Sequence, residues 1–163
     1  MRVQLSAVMA SLFAGVALAT MEMPMIISHR GESSERPENS MAAYRLAFER
    51  GVDGVECDVY ATTDGKGALI HDATTGRTAG SANNLTVTSC SWDELKDIAI
   101  GNFSPWAGGE YAGETIPLLD DYLALLSINS TTKCVIELKD DDPALINVVV
   151  TAIQAQPLRP RTV

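Results

Sequence analysis

An α/β fold assembled from parallel β/α units is predicted for this 163-residue chain by three observations. Short apolar or β-branched runs alternate with segments whose apolar residues recur at helical spacing. Each strand-like run closes on ionisable residues, and parallel β/α sheets gather their chemistry at the C-terminal ends of their strands. Caps, prolines and glycines mark the points where one period gives way to the other.

Residues 1–19 stand apart from the fold. Met1-Arg2 gives a positive start, Val3 to Ala19 is apolar and small, and Ala17-Leu18-Ala19 fits a signal-peptidase site. A secretory signal peptide is expected, and with it a secreted or periplasmic location. The run is short and rich in Gly, Ser and Ala, so no integral membrane segment is expected after its removal. Residues 20–163 are then one domain by length.

Met25 to Ser28 reads as a strand that ends in His29-Arg30-Gly31, followed by a polar loop from Glu32 to Arg36. Asn39 or Ser40 caps a helix carrying Met41, Tyr44 and Phe48 on one face, with Gly51 as its stop. Val52 to Tyr60 is the next strand; Asp64-Gly65 is a turn; Gly67 to His71 is a further strand ending in His71-Asp72. Glu56 and Asp58 are two apart and share a face, so Cys57 points the other way, as a buried thiol. Ala73 to Val87 is Thr-, Gly- and Asn-rich and reads as a surface loop.

Ser91 to Glu94 has capping-box spacing and starts a short helix through about Ile98. Gly101 to Thr115 is loop again, with Phe103, Trp106 and Tyr111 available to line a pocket or to pack the loop down. Pro117 opens a helix striped by Leu119, Tyr122, Leu123 and Leu126. Lys133 to Lys139 is a strand with Glu137 and Lys139 on one face. Asp142-Pro143 opens the last helix, whose buried stripe is expected at Ile146, Val149, Val150 and Ile153.

A formal net charge of −9 argues against nucleic acid or an anionic membrane as partner, so an anionic substrate needs locally placed cations. Glu56, Asp58 and Glu137 would repel one another unless a cation held them, and oxygen donors of this kind suit Ca²⁺ or Mg²⁺. Arg30 and Lys139 are placed to bind a phosphate. His29 and His71, the chain's two histidines, can serve as the acid and base that phosphodiester cleavage requires. Asp72 reads as a loop or cap residue, and Glu38 and Asn39 as braces for the loop after His29.

The ordered set His29-Arg30-Gly31, Pro37-Glu38-Asn39-Ser40, Glu56-x-Asp58-Val59, Thr63-Asp64-Gly65, His71-Asp72 with Arg77-Thr78, Glu114-x-Ile116-Pro117-x-Leu119 and Ile136-Glu137-x-Lys139 resembles the glycerophosphodiester phosphodiesterase family. The resemblance runs through most of residues 20–163. It implies a TIM-type (β/α)₈ barrel and metal-dependent hydrolysis of glycerophosphodiesters to glycerol 3-phosphate and an alcohol, within lipid and glycerol metabolism. It also implies Glu56, Asp58 and Glu137 as metal ligands, His29 and His71 as acid and base, and Arg30 and Lys139 as substrate-binding cations.

Such a barrel takes about 250 residues. Four strands are legible here, and Arg161-Thr162-Val163 resembles the lead into a fifth, so the expectation is a barrel truncated after about four β/α units. Its open edge would call for self-association or a partner chain. A phospholipase D-like relative on the same fold and a catalytically inactive fragment are the alternatives.

Overall fold

The computed structural model describes residues 23–128 and 131–156. The expected leader at residues 1–19 and the strand lead at Arg161-Thr162-Val163 lie outside the described residues.

Strand β2 (Gly54–Ala61) sets the register of the whole sheet. Along one edge it takes β1 (Ile27–Ser28) in parallel, Ile27 opposite Gly54, and then β3 (Gly67–Leu69) antiparallel, Leu69 opposite Val59. Along the other edge it pairs in parallel with β4 (Lys133–Leu138), from Gly54 opposite Lys133 to Val59 opposite Leu138. Being flanked on both sides, β2 is buried along its length except at its last residue.

Alternation along β2 separates two environments. Val55, Cys57 and Val59 join Leu69 in one core with α1 (Met41–Glu49), α4 (Leu119–Ile128) and α5 (Pro143–Ala155). Tyr60 joins Ala68 and Ile70 in a second core with Val87, Leu95, Ile100 and Ile116. Glu56 and Asp58 belong to the Tyr60 face, away from α1, α4 and α5. Each fully buried aliphatic side chain contributes roughly 1.5–3 kcal/mol of transfer free energy.

The hairpin corrects the expectation that parallel β/α units bring every site residue to one C-terminal end of the sheet. Residues 62–66 are too few for a parallel crossover, which needs a dozen or more. The chain instead turns back at Asp64-Gly65, with Thr62 N–H bonded to Lys66 O at 2.9 Å and Gly65 at φ +72°. Three strands among the described residues are therefore parallel and β3 is not. Glu56 and Asp58 lie in mid-strand rather than at its end, and His71 reaches them from the opposite direction, with Ile70 N–H bonded to Asp58 O at 3.2 Å.

The helices follow their caps. Ser40 Oγ accepts from Ala43 N–H at 3.1 Å, a cap that contributes about 1 kcal/mol, and Asp142 accepts from Ala144 N–H at 2.8 Å ahead of Pro143. In α4 all four residues of the expected stripe are buried. In α5 only Val149 of the expected stripe is: Leu145, Val149 and Ala152 face α4, β2 and β3, while Ile146, Val150 and Ile153 are exposed. That helix is apolar on more than one side, so periodicity alone does not select the packed face.

Residues 73–87 are also more ordered than a bare loop, containing α2 (Gly76–Ala79) and a short 3-10 turn at 81–83 and leading into another at 87–89. The helix capped by Ser91, α3 (Trp92–Leu95), stops short of Ile98. Cys57 and Cys90 are buried thiols. No helix among the described residues is long and apolar enough to cross a membrane.

Two core tyrosines carry the packing over to the polar face. Their rings meet with centroids 4.6 Å apart. Tyr122 OH donates to Val55 O at 2.8 Å and Tyr44 OH donates to Asn39 Oδ1 at 2.8 Å. Burial pushes both phenols well above their usual range and keeps them as donors.

Candidate active site

Among the described residues Asp58 is the most enclosed charge, fully buried yet well surrounded. Asn39 Nδ2 donates to its Oδ2 at 2.7 Å, and Asn39 Oδ1 accepts from the Asp58 backbone N–H at 3.2 Å. Arg30 Nε stands 3.2 Å from Oδ2, and Lys139 Nζ stands 3.3 Å from Oδ1. Asn39 thus does more than brace its loop: it joins the Tyr44 hydroxyl to the central carboxylate. Its φ of +53° lies in the left-handed region, which Asn tolerates better than most residues.

Glu56, two residues earlier, receives the backbone N–H of Arg30 at 2.7 Å and lies 4.0 Å from His29 Nε2. Arg30 is turned toward it by a φ of +57°, an unfavourable conformation for a residue with a Cβ. Gly31 follows at φ +75°, where a Cβ would stand 2.7 Å from the Ala43 carbonyl carbon. The loop after β1 is therefore pressed against the start of α1 and pointed at β2. Burial, and then the neighbouring charges of Asp58 and Glu137, raise the Glu56 carboxyl above its ordinary value despite the Arg30 bond.

Glu137 sits opposite Asp58 in the register of β2 and β4. Lys139 Nζ donates to its Oε1 at 2.8 Å, and this bond holds the Glu137 carboxyl below its ordinary range. One ligand oxygen from each of Glu56, Asp58 and Glu137 lies within 4.8 Å of the others. Buried Glu56 Oε1 and Asp58 Oδ1 make no hydrogen bond. Three hard oxygen donors, with Glu56 Oε1 unbonded and Asp58 Oδ1 met by the Lys139 ammonium, fit a Ca²⁺- or Mg²⁺-type ion.

His71 is held by its neighbour. Its Nδ1 lies 2.6 Å from Asp72 Oδ1, and Arg77 Nε donates to Asp72 Oδ2 at 2.6 Å. Hydrogen bonding from Arg77, and secondarily from His71, lowers the Asp72 carboxyl and keeps it ionised. An ionised carboxylate only accepts, so the imidazole proton of this pair belongs on Nδ1 and Nε2 is left to exchange one. Asp72 is thus an orienting partner of His71, a correction to its reading as a loop or cap residue. His29, by contrast, is 65% exposed beside Glu56.

The expected substrate cations are close to the carboxylates but engaged by them. Arg30 divides its guanidinium between Glu38, at 3.1 Å, and Asp58, while Lys139 lies between Asp58 and Glu137. In the loop after α3, Trp106 meets Tyr111 edge to face at 6.0 Å, and Arg36 lies over Tyr111 at 4.6 Å; Phe103 lies 5.9 Å from Arg77. Tyr111 and Phe103 thus pack against cations, and Trp106 packs against Tyr111. Asn39, Asp72 and Arg77 escaped functional assignment from sequence, although all three stand inside the segments that carry its resemblance.

Residues 29–155 match the Glycerophosphoryl diester phosphodiesterase family. Among curated relatives, a "Glycerophosphodiester phosphodiesterase" of Caldanaerobacter subterraneus subsp. tengcongensis is 39% identical over 103 residues, covering 63% of this chain and 40% of the relative. A "Probable glycerophosphodiester phosphodiesterase 1" of Mycobacterium tuberculosis is 36% identical over 107 residues, covering 65% and 38%. The chain thus spans about two fifths of the length of these relatives. Among solved structures, an Oleispira antarctica phosphodiesterase in complex with the product sn-glycerol-3-phosphate superposes with a TM-score of 0.73 at 30% identity, over 86% of this chain and 55% of that one. A glycerophosphodiester phosphodiesterase from Agrobacterium tumefaciens gives a TM-score of 0.68 at 34% identity, over 81% and 54%.

Proposed function

This chain belongs to the glycerophosphoryl diester phosphodiesterase family, and from that premise we propose that it is the ligand-bearing part of an exported, metal-dependent hydrolase that releases glycerol 3-phosphate and an alcohol from glycerophosphodiesters. The observation that carries the reading is the set Glu56, Asp58 and Glu137, brought together by the parallel register of β2 and β4. Ca²⁺ and Mg²⁺ are the candidate ions.

Each residue has a part consistent with its position. Glu56, Asp58 and Glu137 would hold the ion. What a divalent cation supplies there is polarisation of a phosphoryl oxygen and neutralisation of charge developing on it. Arg30 and Lys139, already beside these carboxylates, are the cations within reach of the substrate phosphate. His71, with Nδ1 committed to Asp72, would exchange a proton through Nε2, and His29 would serve as its counterpart. One imidazole would take the proton of the nucleophile, water or the neighbouring glycerol hydroxyl, as its oxygen bonds to phosphorus, and the other would protonate the alcohol oxygen as its bond to phosphorus breaks. Attack by the glycerol hydroxyl gives a cyclic phosphate that water then opens to glycerol 3-phosphate.

A second reading, cation binding without turnover, is favoured by the 51% exposure of the Glu137 side chain. Assay of glycerol 3-phosphate release from glycerophosphocholine separates the two. We expect turnover with Ca²⁺ or Mg²⁺, its loss with chelator, and a fall of about 10²- to 10⁴-fold in His71→Ala. Calorimetric Ca²⁺ binding by a chain that releases no product would overturn hydrolysis and leave the second reading.

A further inference from the structure

Arg77 stands in a segment that the sequence singles out and to which the proposed reaction gives no part. Its guanidinium grips two carboxylates at once: Nε and one terminal nitrogen reach Asp72 at 2.6 and 3.3 Å, and the two terminal nitrogens reach Glu38 at 3.0 and 2.7 Å. Glu38 lies in the loop after β1 and Asp72 follows β3. Each carboxylate has a second partner that matters to the site. Asp72 binds His71 Nδ1 at 2.6 Å, and Glu38 accepts from Arg30 at 3.1 Å. Arg30 in turn lies 3.2 Å from Asp58.

We propose that Arg77 is a positioning residue that ties the His71–Asp72 pair to the Glu38–Arg30 pair, fixing the Nδ1-protonated tautomer of His71 and joining the two site loops into one unit. An isolated surface ion pair contributes little, but a bidentate pair within a network is the exception. Here one planar fork satisfies two carboxylates in different segments, which a lysine, as a point charge, cannot reproduce. Glu38 is only 15% exposed, and Phe103 lies 5.9 Å from the guanidinium. The consequence for turnover rests on the phosphodiesterase reading; the tautomer does not.

With only two histidines in the chain, ring-nitrogen NMR of the ¹⁵N-histidine-labelled 163-residue protein reads the claim directly, using His29→Gln to assign the signals. In the parent, the two His71 nitrogens should be widely split with the proton on Nδ1. Arg77→Met should collapse the split as the tautomers interchange, and Arg77→Lys should restore it only in part. Glu38→Gln, at a residue joined to the His71–Asp72 pair through Arg77, should move the His71 signals in the parent and leave them unmoved in the Arg77→Met background. A proton on Nε2 in the parent, an undiminished split in a folded Arg77→Met or Arg77→Lys protein, or the same Glu38→Gln response in both backgrounds overturns the proposal. The expected pattern in a chain that releases no glycerol 3-phosphate keeps Arg77 in this role and removes the proposed reaction.

Discussion

Asp58 and Glu137 stand opposite each other in adjoining parallel strands and are both expected to bind one ion, yet their surroundings could hardly differ more. Asp58 is fully buried, held by Asn39 and approached by Arg30 and Lys139. Glu137 is half exposed, and its Oε1 accepts from Lys139, two residues along the chain. The cause lies in the sheet. β2 is flanked on both edges, whereas among the described residues β4 pairs with β2 alone, and Val135 and Leu138 remain exposed. The candidate ligand set therefore has one wall fixed by the core and one at an exposed sheet edge.

The largest effect expected from that contrast is on stability. Asp58→Ala leaves Arg30 and Lys139 beside a vacated buried position and should cost about 3–5 kcal/mol, as breaking a buried pair does. Glu137→Ala should cost about 1 kcal/mol or less, because its pair with Lys139 is screened by solvent. Urea unfolding of the two metal-free variants measures the ratio directly. Equal losses would mean that the β4 wall is as fixed as the β2 wall.

A second contrast lies within α5. Leu145→Ala empties a position in the main core and should cost about 2–5 kcal/mol, while Ile146→Ala on the outer face should stay within about 0.5 kcal/mol. The same denaturation series checks it. A large loss at Ile146 would show that its face is covered in solution.

What could be read from sequence follows the same division between short and long range. Period two put Glu56 and Asp58 on one face, helical period gave the α4 stripe, and local spacing narrowed the first cap to Asn39 or Ser40 and gave the Asp142 cap, because each signal involves residues a few positions apart. The direction of β3 was also local, set by the short link at 62–66, but alternation of strands and helices concealed it. Arg77 was another matter: its partners lie five and 39 residues away, so no period connects them. The packed face of α5 was obscured because a helix apolar on several sides is oriented only by what it meets.

The smallest effect expected separates Glu56 from the network beside it through pH. The Glu56 carboxyl is raised above its ordinary 4.5, first by burial, so the folded state binds its proton more tightly than the unfolded state. Its favourable contribution is complete below 4.5 and is lost as pH rises through the raised value. Glu38 and Asp72 run the other way. For Glu38, burial alone would raise the carboxyl, but Arg77 and then Arg30 hold it below 4.5; for Asp72, Arg77 leads in holding it below 3.8. Their contributions are present above those ordinary values and fade as pH falls through the lowered ones. Glu56→Gln should therefore melt higher than the parent at pH 7 with chelator present, and the gain should vanish on acidification below 4.5. Added Ca²⁺ should favour the parent, which keeps all three ligands. Thermal melts from pH 4 to 7, with and without Ca²⁺, test both halves: a variant that melts lower than the parent in chelator at pH 7 would mean that the Arg30 backbone bond outweighs the cost of burying the Glu56 charge.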